Sequence, residues 1–316
     1  MELVERALGG DRRSLSRLIT LVESDQRAAR PALQQIYAHT GRAQVVGITG
    51  SPGVGKSTLT DRLAKSFRDT GRTVGIIAVD PSSPFTGGAI LGDRVRMADR
   101  TLDPGVFIRS LATRGSLGGL SRATGDVIKL LDACNFDVII VETVGTGQAE
   151  VDIIELAQTT VVVVVPGLGD DIQAIKAGIL EIADVFAINK ADLPGHQRTV
   201  AEIQMMLDLG QAEREWRPPL VSTIARDATG IDELRQRIDD HYGYLRQSGR
   251  LAARQRTLVE REITGIVTRT LADGAIGLAR EDGRYERLVE ATVRRETTPF
   301  EAAERIVDDW LARNRE

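Results

Sequence analysis

Short apolar runs at 44–49, 73–79, 106–108, 137–142, 159–166, 185–189 and 220–223 are separated by longer segments whose apolar residues recur at helical spacing. Such runs read as strands and the periodic segments between them as helices. Five consecutive valines, Val161 to Val165, suit a strand covered on both faces. The alternation predicts an α/β fold with a mostly parallel sheet, right-handed crossovers and functional loops at the carboxyl ends of the strands. The pattern changes at both ends of the chain. Residues 1–41 read as a helical extension that caps the main domain: Gly10-Asp11 is a start signal, Leu15, Leu18, Ile19 and Val22 form an apolar stripe, and Pro31 opens a further segment. Residues 42–245 hold the strands. After Tyr244 they cease, and 246–316 read as a helical arm with a stripe of Leu258, Ile263, Ile266, Val267 and Leu271. Thr298-Pro299-Phe300 opens a last helix, with Ile306 and Trp310 on one face. That stripe is expected to be buried, against its own domain or against a second copy.

One loop carries chemistry that the rest is arranged around. Gly50-Ser51-Pro52-Gly53-Val54-Gly55-Lys56-Ser57 fits G-x-x-x-x-G-K-[ST], between the strand-like run 44–49 and a helix from Thr58 to Thr70 with Leu59, Leu63 and Phe67 on one side. The glycines let backbone N–H groups curl round an anion, and the helix N-terminus adds partial positive charge. Lys56 is expected on the β- and γ-phosphates, the Ser57 hydroxyl on Mg²⁺, and Thr58 beside them at the nucleotide.

Two further motifs lie at strand ends. Asn189-Lys190-Ala191-Asp192 follows 185–189 and fits N-K-x-D, whose Asp accepts from the guanine N1–H and exocyclic amine. Adenine offers no such donor pair, so GTP is expected over ATP. Thr223-Ile224-Ala225-Arg226, after the next strand, is the second wall for the base. Glu142-Thr143-Val144-Gly145 ends the run 137–142 and places an acid near Mg²⁺ and the Gly145 N–H near the γ-phosphate. Asp80 and Asp93 join Ser57 and Glu142 as expected metal ligands, since Mg²⁺ takes hard oxygens and keeps waters.

Composition narrows the class. The chain has 316 residues, 42% hydrophobic and 27% charged, with net charge −4. Its pI of about 5.6 argues against a nucleic-acid partner. Cys134 is the single cysteine, which excludes a disulfide scaffold and leaves a buried thiol; His39, His196 and His241 are scattered and make no metal motif. No run reaches membrane-spanning length and no leader pattern opens the chain, so a cytoplasmic protein with no membrane partner is expected. Of 41 basic residues only five are lysines: Lys56, Lys65, Lys129, Lys176 and Lys190. Two of the five fall in nucleotide motifs, which draws notice to Lys176.

Together, Glu142-Thr-Val-Gly-Thr-Gly-Gln148, Asp80-Pro-Ser-Ser83 and Pro166-Gly-Leu-Gly-Asp-Asp-Ile-Gln-Ala-Ile-Lys176 resemble the metallochaperone-type P-loop GTPases, and within them the MeaB/ArgK group. Phe107-Ile-Arg-Ser110, Arg114-Gly-Ser-Leu-Gly-Gly-Leu120 and Glu181 to Asp192 are similar to that group as well, and the likeness runs from about Gly9 to Trp310. The resemblance implies a P-loop GTPase domain at 42–245 and a homodimer joined through the C-terminal arm. It also implies mobile switch segments around 80–96, 142–148 and 166–176. By residue, Lys56, Ser57, Asp80, Asp93 and Glu142 match its phosphate, metal and catalytic positions. Lys176 matches a lysine on its third switch loop, linked to the response to a partner. That partner is an adenosylcobalamin-dependent acyl-CoA mutase of the methylmalonyl-CoA type. The implied function is a Mg²⁺-dependent GTPase chaperone that gates loading of intact cofactor and protects the mutase, with no cobalamin bound directly. The sequence offers no Gln base and no arginine finger, so slow intrinsic turnover accelerated by the partner is expected. Thr146, Asn135 and Gln158 depart from the group's usual Val, Gly and Asp. Two alternatives stay open: a nickel-delivery GTPase of the same superfamily, for which the Cys/His motifs are missing, and a kinase acting on a transport protein.

Overall fold

A computed structural model describes residues 2–80, 103–112, 122–143, 153–167, 180–209 and 215–313. The chain divides into two compact units, Met1–Leu251 and Ala252–Glu316.

In the first unit seven strands form one sheet in which every pairing is parallel: β1 (Gln44–Thr49), β2 (Val74–Asp80), β3 (Val106–Ala112), β4 (Val138–Thr143), β5 (Thr159–Val164), β6 (Val185–Ile188) and β7 (Leu220–Ser222). The order is β3-β2-β4-β1-β5-β6-β7, so β1 lies centrally with β4 on one side and β5 on the other. Successive strands leave β1 in opposite directions, which opens a crevice at its carboxyl end. All six residues of β1, β4 and β5 are buried, as the near-continuous apolar runs require of strands covered on both faces. One face carries α4 (Lys56–Asp69), whose Leu59, Leu63 and Phe67 pack with Val46, Ile48, Ile140 and Leu234, the last from α7 (Ile231–Gln247). The other face carries α5 (Arg122–Ala133) and the N-terminal helices α1 (Glu2–Leu8), α2 (Arg12–Ser24) and α3 (Gln26–Ile36), with Leu15, Leu18, Ile19 and Val22 buried in the same cluster as Ile77, Val127 and Ile139. The helix α6 (His196–Leu209) packs Ile203 and Leu207 near Val162 and Phe186.

Local chemistry explains the N-terminal layer and corrects one expectation. Asp11 caps α2 by accepting from the backbone of Arg13 and Ser14, both at 3.2 Å. The bond from the Ser14 hydroxyl is the main reason the Asp11 carboxyl lies below the usual range. Pro31 does not open a segment: it lies inside α3, whose N-cap is Asp25, accepting from Ala28 N at 3.0 Å. The ring forfeits one amide, which would have bonded Arg27's carbonyl, and both residues lie on the exposed side. Asp132, from α5, accepts from the backbone N–H groups of Gly41, Arg42 and Ala43 at 2.5, 3.1 and 2.9 Å, so the turn entering β1 is held by one carboxylate. At the edge strand β3, Arg109 pairs with Glu23 of α2, and β3 continues four residues past its apolar stretch because Arg109 and Ser110 pair laterally with Ile77 and Ala78.

The second unit holds most of α8 (Arg250–Glu281), with α9 (Arg284–Val293) and α10 (Pro299–Arg313). Thr298 and Glu301 form a reciprocal cap at the start of α10: Glu301 N donates to Thr298 Oγ1 at 3.2 Å and Thr298 N to Glu301 Oε2 at 3.1 Å. Arg284 links Asp282 to Asp309, and Trp310 lies over Gly274, where a Cβ would stand 3.2 Å from its indole nitrogen. Within the second unit the α8 stripe is not covered: Ile263, Ile266, Val267 and Leu271 are 43–56% exposed. In α8 only Ala275 and Ala279 are buried, small residues at the end where Trp310 returns.

Candidate functional site

The phosphate loop takes its shape from three glycines. Gly50 turns out of β1 with φ 142°, and a Cβ there would meet the Val163 carbonyl oxygen at 2.2 Å. Gly53 and Gly55 have φ 80° and 94°, the left-handed region that side chains avoid. Gly55 is the N-cap of α4, so the helix begins at Lys56, two residues before the expected Thr58. A glycine cap has no side chain to spend on the first amides of the helix, which leaves them to an anion. Lys56 is buried and arches back over the loop, its ammonium donating to the carbonyls of Gly50 at 2.6 Å and Ser51 at 3.0 Å. A phosphate oxygen at the same mouth would be a charge-assisted partner, stronger than a carbonyl. Thr58 is exposed, two residues into the helix.

Glu142 enters from β4, where it pairs with Ile48 of β1 and Ala78 of β2. It is buried, and its Oε1 accepts from the Ser57 hydroxyl at 2.6 Å. A hydroxyl and a carboxylate converging beside the loop are the hard oxygen donors that Mg²⁺ takes, so these residues fit the ion. Among the described residues no three His, Cys, Asp or Glu side chains come together as a metal cage. The backbone of Asp80 ends β2 at the same edge, beyond the pair Val79 and Thr143. Its side chain, and all of Asp93, Gly145, Thr146 and Lys176, lie outside the described residues.

The base side is built on Asn189. This side chain is buried; its amide donates to the Val54 carbonyl at 2.8 Å, and its oxygen accepts from Ala225 N at 3.0 Å and Thr223 Oγ1 at 3.3 Å. A Cβ on Gly55 would lie 2.6 Å from the Asn189 amide nitrogen. Lys190 has φ 55° and donates to the Gly53 carbonyl at 2.9 Å. Both residues thus brace the phosphate loop from the end of β6, a role that the four-residue spacing does not reveal. Thr223 and Ala225 spend their donors on Asn189, while Ile224 N bonds the Thr229 carbonyl. Asp192 stands at the rim, 40% exposed, with the Arg226 guanidinium 3.9 Å away. Arg226 also grips Asp227 at 2.9 Å and holds that carboxyl below its usual range.

The sequence departures have local reasons. Asn135 has φ 65°, a conformation that glycine takes freely and Asn tolerates best among the rest, and its Oδ1 accepts from Arg42 at 2.5 Å. Gln158 exchanges two bonds with Val45, Oε1 accepting at 3.0 Å and its own N donating at 2.9 Å. Away from the site, His241 is buried between Thr159 Oγ1 at 2.9 Å and Asp184 at 3.3 Å. Burial pushes the Cys134 thiol up to about 11, so it is neutral at physiological pH.

Residues 15–278 match the family described as methylmalonyl-CoA mutase-associated GTPase MeaB. A protein of Pyrococcus abyssi named as a GTPase is 52% identical over 98% of this chain and 96% of its own length. The GTPase ArgK of Escherichia coli is 38% identical over 82% of this chain and 81% of its own. The mouse protein named methylmalonic aciduria type A homolog, mitochondrial, is 34% identical over 78% of this chain and 64% of its own. Among solved structures, one described as LAO/AO transport system kinase superposes with a TM-score of 0.71 at 27% identity, covering 97% of this chain and 96% of that one. No helix among the described residues is long and apolar enough to cross a membrane.

Proposed function

Because the chain belongs to the MeaB family of P-loop GTPases and hydrolyses GTP, we propose that it acts as a GTP-driven chaperone of an adenosylcobalamin-dependent acyl-CoA mutase. The observation that carries the reading is the family match over 15–278 together with a phosphate loop, a Ser57–Glu142 pair and an Asn189 brace at one strand edge. GTP would lie with its β,γ-phosphates on the amides at the start of α4 and its guanine at Asp192. Lys56 would move from the Gly50 and Ser51 carbonyls to the phosphate oxygens, neutralising charge that grows on the bridging oxygen. Ser57 and Glu142 would hold Mg²⁺, with Asp80 and Asp93 as the further acids that the sequence assigns to it, and the ion would supply charge stabilisation on the β,γ-phosphates. The sequence motifs assign Gly145 to the γ-phosphate and Lys176 to the response to a partner.

The chain's output in this reading is the difference between GTP and GDP forms, which a mutase senses while intact cofactor is admitted and damaged cofactor rejected. No cobalamin need be held by the chain itself. The exposed α8 stripe supports a homodimer formed through the arm at 246–316, appended to a GTPase domain at 42–245 and a helical layer at 1–41. A cytoplasmic setting suits a mutase partner. The test is co-purification: tagged chain should retain an acyl-CoA mutase with a non-hydrolysable GTP analogue and lose it with GDP. Retention of a transport component that becomes phosphorylated, with no mutase, would favour the kinase reading.

A further inference from the structure

The two strands that deliver the site's chemistry end side by side. β1 ends at Thr49, one residue before the phosphate loop, and β4 ends at Thr143, one residue after Glu142. Their backbone ladder runs to the pair Ile48 and Glu142 and no further. Beyond it a side-chain bond takes over: the Thr143 hydroxyl donates to Thr49 Oγ1 at 3.0 Å, with the Ile48 carbonyl 3.5 Å away. Both threonines are fully buried. By strand alternation they lie on the face opposite Glu142, the face of the buried Val45, Ile139 and Val141. A hydroxyl there costs free energy that a valine of the same shape would not, unless the bond it makes offsets it. The bond between the two hydroxyls is what offsets that cost, and it stands where the backbone ladder of β1 and β4 ends.

We propose that Thr49 and Thr143 are a positioning pair for GTP hydrolysis, tying the exit of the Glu142 strand to the entrance of the phosphate loop. Gly50 turns away directly above Thr49, and the ladder between the two strands stops one pair below that level. The hydroxyl tie spans it, and fixes the end of β4, with the Glu142 carboxylate, against the loop. Binding of phosphates depends mainly on the loop's own amides and Lys56; hydrolysis depends also on where the Glu142 carboxylate stands beside Ser57. The pair therefore acts on turnover more than on affinity. The inference rests on the placing of Glu142 beside Ser57 and on the GTPase activity, not on the mutase reading.

Thr143→Val, Thr49→Val, the double variant and Thr143→Ser are compared for GDP affinity, melting temperature and single-turnover hydrolysis. Thr143→Val should slow hydrolysis roughly tenfold, as small misplacements at a reacting centre do. GDP affinity should stay within about twofold. Thr49→Val should match it, the double variant should lose no more than either single one, and Thr143→Ser should restore the rate, since it keeps the hydroxyl. Full hydrolysis in Thr143→Val, multiplicative losses in the double variant, or failure of Ser to rescue would each overturn the pairing. Glu142→Gln is run alongside: a slowed Glu142→Gln with a wild-type Thr143→Val overturns the positioning pair alone, and a wild-type rate in Glu142→Gln overturns the premise about Glu142.

Discussion

At the scale of single residues, Asp192 and Asn189 divide the N-K-x-D motif between an exposed carboxylate and a buried brace. Asp192 is half-exposed at the rim with the Arg226 guanidinium beside it, so its carboxylate is available to guanine. Asp192→Asn should therefore weaken GTP binding by about 1.5–3 kcal/mol, the worth of a hydrogen bond to a charged group. It should leave phosphate binding intact and shift preference toward xanthosine triphosphate, read by titration with each nucleotide; unchanged GTP affinity would remove Asp192 from base recognition. Asn189 is inside the same motif but spends its side chain on Val54, Thr223 and Ala225. The N-K-x-D spacing marks both residues and cannot divide their work, because a strut and a base contact need the same exit from β6. The glycine loop was legible in full: each of Gly50, Gly53 and Gly55 adopts a positive φ, and at two of them a Cβ would strike a neighbour. The Thr49–Thr143 bond left no sign in the sequence, since threonine is an ordinary strand residue and only the register brings the two together.

At the scale of elements, periodicity worked where burial is two-sided and failed where a partner element is missing. The seven strands stand where apolar runs occur, with ends displaced by a few residues, as at β3, where polar side chains on an edge strand hide the pairing. Proline at 31 drew the segment boundary away from Asp25, because a ring inside a helix is tolerated where the lost bond faces solvent. The α8 stripe shows the other failure. Its spacing is that of a buried face, yet Ile263, Ile266, Val267 and Leu271 are exposed in the single chain. Contiguous exposed apolar stripes of this kind are what interaction faces use. On the homodimer reading, Ile266→Asp combined with Val267→Asp should convert a dimer to a monomer in light scattering while leaving nucleotide affinity unchanged. A wild-type chain that is already monomeric at micromolar concentration would contradict that assignment of the arm.

At the scale of the whole molecule, the first unit gathers the phosphate loop, the Ser57–Glu142 pair and the Asn189 brace at the carboxyl ends of β1, β4 and β6. The framework supplies the amides of α4, Lys56, Ser57 and Glu142. On the proposed function, GTP hydrolysis is slow for the chain alone and faster with the partner. The most direct test is single-turnover GTP hydrolysis measured with and without the acyl-CoA mutase of the same organism. The account predicts acceleration by the mutase, tens-fold or more against a ceiling of about 10³–10⁵ for partner-stabilised phosphoryl transfer. Equal rates with and without a mutase that binds the chain would contradict it.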